Sequence, residues 1–130
     1  MYNPTNLTTN ETIGQRCWAI AEGYIPNWKK GPVSKLTSRE TISLLNTTET
    51  DARVQIMIYF NDREPVGPYN INIPARRMRT LSFDDLIDPQ PIPFDTMFSS
   101  VIESDVPIVV QHVRLDPAQT EKALLGRTNR

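Results

Sequence analysis

The stretch Arg53-Val54-Gln55-Ile56-Met57-Ile58-Tyr59-Phe60 decides the fold class. Val54, Ile56, Ile58 and Phe60 recur at every second residue, the period that puts side chains on one face of a strand, and β-branched and aromatic residues dominate the run. Tyr69-Asn70-Ile71-Asn72-Ile73 repeats the pattern with its asparagines turned to solvent, and Pro74 closes it. Working outward, the same reading gives strands from Cys17 to Glu22, Thr41 to Asn46, Met78 to Phe83, Phe98 to Glu103 and Ile108 to Leu115. Seven short strands predict an all-β sandwich or jelly roll rather than alternating α/β units.

Eleven prolines against five glycines support this reading, because a residue without a backbone donor and with a fixed φ leaves little room for long helices. Asn61 to Pro68 reads as an ordered excursion of eight residues. Pro89, Pro91 and Pro93 stand at alternate positions between Asp88 and Asp95, each pushing its predecessor away from the α region, so extended or polyproline-like backbone is expected there. Residues 1–12 are Asn/Thr-rich with hardly any large apolar side chain, the composition of a disordered extension. At the other end, Asp116 as cap, Pro117 at the first helical position and a stop at Gly126 predict one short C-terminal helix. The domain is then expected over residues 13–125, with a mobile tail over 126–130.

At 130 residues the chain fits one domain with a core of its own, needing neither metal nor disulfide framework. A single cysteine, a polar start without a secretory signature and the lack of a long apolar run lead to the expectation of a cytoplasmic protein that is not inserted in a membrane. The net charge of -1 argues against non-specific nucleic-acid binding as the main task. That average conceals structure. From Asp84 to Val106 the chain carries Asp84, Asp85, Asp88, Asp95, Glu103 and Asp105 with no Lys or Arg, while basic runs lie at Lys29, Lys30 and Lys35 and at Arg76, Arg77 and Arg79. Either these blocks neutralise one another, across the surface or between subunits, or they form a recognition surface.

Single residues carry less. His112 is the only histidine, so a multi-histidine metal site is excluded, and a structural or subunit-contact role is preferred over catalysis. In a regular strand His112 and Arg114 share a face with Ile108 and Val110. Cys17, in the apolar run before Trp18-Ala19-Ile20-Ala21, is expected to be a buried, inert thiol. No nucleophile elbow or Gly-rich phosphate loop is present, and no cofactor is expected. Sequons at Asn6, Asn10 and Asn46 are formally intact. Tyr24 and Trp28, with Arg76, Arg77, His112 and Arg114, supply the rings and planar polar groups from which sandwich proteins build sugar- or anion-binding surfaces.

Longer motifs carry a resemblance. Cys17-Trp18-Ala19-Ile20-Ala21-Glu22-Gly23-Tyr24-Ile25-Pro26, Glu64-Pro65-Val66-Gly67-Pro68-Tyr69, Pro74-Ala75-Arg76-Arg77, Asp88 to Thr96 and Val106 to Asp116 resemble, in order and spacing, the soluble sensory rhodopsin transducer family. The resemblance implies a β-sandwich of jelly-roll type, a homotetramer, and a cytoplasmic, non-enzymatic role in relaying the state of a membrane photoreceptor, with sugar or DNA as further ligands. The chain departs from the family pattern in its N-terminal extension and at Asn27 to Ser38. Because cytoplasmic loops of membrane proteins are rich in Lys and Arg, Asp84, Asp85, Asp88 and Asp95 are the expected receptor-facing residues.

Overall fold

The computed structural model of the chain describes residues 12–27 and 39–115. Residues 1–11 of the expected disordered extension, the C-terminal helix and tail, and Trp28 with them, lie outside these residues. Six antiparallel strands make up the described part: β1 (Gln15–Tyr24), β2 (Arg39–Asn46), β3 (Ala52–Tyr59), β4 (Val66–Ile73), β5 (Arg77–Ser82) and β6 (Met97–Leu115), with one 3₁₀ turn at Phe83–Asp85. They join in the order β4-β3-β6-β2-β5, and β1 pairs with β6 as well. This places the described chain in the antiparallel all-β class. A jelly roll takes eight strands in two sheets and goes beyond what the described strands show.

β3 behaves as its alternation dictates: Ala52, Val54, Ile56 and Ile58 are buried, whereas Arg53, Gln55 and Tyr59 face solvent. On β4, Tyr69, Ile71 and Ile73 point inward opposite them. Burial pushes the Tyr69 phenol above its ordinary titration range, and its hydroxyl donates to the Gln90 carbonyl. Inward-facing Ile42 and Leu44 of β2 and Ile102 and Ile108 of β6 close the core, with Phe83 edge-on to Phe98 at 5.1 Å.

Three expectations are corrected. First, the segments Phe98–Glu103 and Ile108–Leu115 are one strand of 19 residues. Its first half pairs with β1 and β3 and its last with β2, and Pro107 falls between the last β3 pair at Ser104 and the first β2 pair at Val109. A residue without a donor is tolerated where neither of these ladders needs one. Second, β4 starts at Val66, so Val66, Gly67 and Pro68 belong to the strand rather than the preceding loop; the Gly67-Pro68 peptide is cis. Third, Cys17 is exposed, because its side chain stands on the outer face of β1 while Trp18 turns inward against the core.

Polar side chains fix the ends of this sheet. The Asn46 amide is fully buried and donates to the carbonyls of Thr50, Ile73 and Pro74, while its oxygen accepts from the Thr48 backbone N–H and hydroxyl. The sequon at Asn46 is therefore a structural joint between the β2–β3 turn and the end of β4, with no free amide to glycosylate. The Trp18 indole N–H donates to the carbonyls of Gln15 and Ile108, tying β1 to β6.

Candidate functional site: the acidic loop after β5

The acidic segment begins where β5 ends. Ser82 N–H donates to the Asp85 carboxylate at 3.2 Å and Leu86 N–H to the Phe83 carbonyl at 3.1 Å, closing the 3₁₀ turn. Phe83 and Leu86 are buried, so this short turn is anchored at two points. Asp84, Asp85, Ile87 and Asp88 are all exposed beyond those anchors. Asp85 and Asp88 also line a cavity of ≈ 380 Å³ between β4 and β5, together with Arg79 and the buried Tyr69.

Asp95 does different work. Its carboxylate accepts from the Tyr24 hydroxyl at 3.1 Å and the Asn27 N–H at 3.0 Å, and its own N–H donates to the Ile25 carbonyl. With φ at 55° it occupies the left-handed region that Asp tolerates better than most residues. Asp95 thus pins the end of β1 to the start of β6, and Tyr24 is part of that pin. Glu103 and Asp105 lie elsewhere again, on the outer face beside β3, where Asp105 accepts the Arg53 backbone N–H at 2.8 Å.

The residues proposed for a sugar or anion site are dispersed. Tyr24 pairs with Met97 at the start of β6, whereas His112 and Arg114 stand near its other end. Arg76 lies in the β4–β5 turn and Arg77 opens β5; Arg76 has φ at 58° and its N–H donates to the Thr48 carbonyl, and an Arg77 guanidinium N–H donates back to the Arg76 carbonyl. Arg77 lies opposite Asn46 on β2 and Arg114 opposite Glu40, about 20 Å apart at the rise of an extended strand.

His112 has a partner that sequence reasoning missed. Its Nε2 lies 3.0 Å from Oε2 of Glu40, a carboxylate only 2% exposed, and the Arg114 Nε lies 3.5 Å from Oε1. The His112 ring also meets Phe83 edge-on at 6.4 Å. The signal was available: Glu40 shares the parity of Ile42 and Leu44 and therefore points inward with them. Among the described residues no group of His, Cys, Asp or Glu is arranged to hold a metal ion, and no helix is long and apolar enough to cross a membrane.

Comparison with known proteins matches this architecture. A solved structure described as the Anabaena sensory rhodopsin transducer is 56% identical, covering 80% of this chain and 100% of its own, with a TM-score of 0.74. The crystal structure of Thermotoga maritima 1070 is 33% identical over 81% of this chain and 84% of its own, with a TM-score of 0.68. Among curated proteins, none matches. The family model described as Anabaena sensory rhodopsin transducer matches residues 13–129, and the chain belongs to that family.

Proposed function

We propose that the protein is a cytoplasmic signal transducer that binds a sensory rhodopsin or an analogous membrane receptor and works as a homotetramer. It relays the receptor's state through protein–protein contact, without catalysis. Family membership supports the transducer role. The observation that carries the binding mode is the acidic loop: Phe83 and Leu86 are buried, while Asp84, Asp85 and Asp88 reach solvent around the exposed Ile87. Anchored carboxylates lose little entropy on meeting a basic receptor loop, and the apolar side chain among them offers contact area. Signal transfer then requires only unequal affinity for the two receptor states.

The test separates docking from folding. Asp84→Asn and Asp88→Asn remove charge without touching the Asp85 cap. Each weakens receptor binding about two- to fivefold at low salt and flattens its salt dependence. Unchanged affinity and unchanged salt slope in the double variant would rule the loop out as the docking surface. Asp95 is left out of the set, since its carboxylate holds Tyr24 and Asn27.

A second reading, binding of a carbohydrate or other small polar ligand, draws support from one groove. The outer faces of β3, β4 and β6 form a depression of ≈ 730 Å³ lined by Arg53, Gln55, Asn70, Asn72, Glu103 and Asp105. These planar donors and acceptors suit hydroxyl groups. Saturable thermal stabilisation by a sugar, abolished by Asn70→Ala, would favour it over the transducer reading.

A further inference from the structure

β4 and β5 meet without pairing. Among the described strands β4 pairs only with β3 and β5 only with β2, so each ends its own run of the sheet. Such edges leave alternate backbone N–H and C=O groups without a ladder partner. Between the two edges lies the cavity of ≈ 380 Å³, whose remaining side is lined by Asp85 to Asp88 from the 3₁₀ turn and the loop after it. Its size is at the small end of the roughly 300–1,000 Å³ of ligand pockets. Its floor is apolar: Tyr69 and Ile71 of β4, Leu81 of β5 and Leu86 of the loop line it and are all buried.

The walls carry opposite charges that do not neutralise each other. Arg79 lines the cavity from β5 and Asp85 and Asp88 line it from the loop, yet no ion pair joins the guanidinium to either carboxylate. Arg79 gives one N–H to the Asn72 carbonyl at 3.4 Å, which leaves the rest of its fork open. The Ser82 N–H engages Oδ2 of Asp85, while Oδ1 and both oxygens of Asp88 accept no bond among the described residues. A neutral ligand would use none of these charges. A simple cation would meet Arg79, and a simple anion the two carboxylates. A molecule with both signs at one end and an apolar body at the other meets the walls and the floor together.

We propose that this cavity binds a free α-amino acid with an apolar side chain. The ligand carboxylate pairs with the planar Arg79 guanidinium, which suits two oxygens side by side. Its ammonium, a compact charge with three donors, is shared by Asp88 and the open oxygen of Asp85. Its side chain lies on Tyr69, Ile71, Leu81 and Leu86. Asp85 and Asp88 also belong to the receptor-facing set, so the site is tested with no receptor present and holds or fails independently of the transducer reading.

Equilibrium dialysis of radiolabelled L-leucine against the full chain tests it. Leucine binds saturably, and as unlabelled competitors 3-methylbutylamine, 4-methylpentanoate and glycine, which lack the carboxylate, the ammonium and the side chain in turn, are each weaker by roughly tenfold or more. Arg79→Gln and Asp88→Asn alter exposed side chains, with far-UV circular dichroism to confirm folding, and each loses affinity to a similar extent. Arg53→Gln, in the outer groove, keeps the wild-type value. If neither L-leucine nor, in its place, L-methionine or L-phenylalanine binds saturably, the proposal is overturned. Equal competition by the amine or the carboxylate alone overturns it as well. So does wild-type affinity in Arg79→Gln with loss in Arg53→Gln, which would put the ligand in the outer groove.

Discussion

Asn46 shows how much one side chain can hold. Its side chain is fully buried; its amide donates to three carbonyls and its oxygen accepts two bonds. Asn46→Ala leaves those carbonyls unpaired and is expected to cost about 2–3 kcal/mol, read as a lower midpoint in urea unfolding. Tyr69 gives a pH signature. Because burial raises its titration, the protonated phenol is favoured in the fold; the stability tied to it is complete below pH 10 and is lost as pH climbs through the folded-state value. Tyr69→Phe loses about 1 kcal/mol with the bond to Gln90 but falls less steeply than wild type in alkaline thermal melts. At this scale the sequence spoke unevenly. The inward Tyr69 follows from alternation with Ile71 and Ile73, whereas the Asn46 joint needs carbonyls from two distant turns, and no local pattern announces them. Asp95 and Tyr24 were visible as polar residues, but their mutual bond joins positions 71 apart in the chain.

Among the elements, β6 carries the sheet. It is the partner of β1, β2 and β3, so damage to it weakens three ladders together. Ile102, fully buried and paired with Trp18 on one side and Ile56 on the other, is the most sensitive point. Ile102→Ala is expected to cost about 2–5 kcal/mol in chemical denaturation. Gly14 marks the entry of β1: its φ is 93°, and a Cβ there would stand 2.2 Å from the Ile108 carbonyl oxygen. Gly14→Ala therefore displaces the start of β1, and hydrogen exchange should quicken at Gln15 to Trp18 while β3 and β4 keep their protection. Strand identity was legible because β3 and β4 alternate cleanly. The unity of β6 was not, since Pro107 reads as a terminator until the ladders show that neither β2 nor β3 needs a donor from it.

For the whole molecule, the separation of surfaces matters most. The acidic loop lies after β5, and the polar groove on the outer faces of β3, β4 and β6. The net charge of -1 hides this division, because opposite charges in different places cancel in a sum. Sequence alone located the acidic segment, but distance along the chain does not reveal which of its carboxylates are engaged, as Asp95 is with Tyr24 and Asn27 and Asp85 with the Ser82 N–H. The transducer account stands or falls on receptor binding. Isothermal titration of the full chain into a sensory rhodopsin in nanodiscs, in the dark and under continuous illumination, addresses it directly. The account predicts saturable binding that weakens with salt and differs between the two conditions. Binding with the same affinity in light and dark, or none in either, would contradict it.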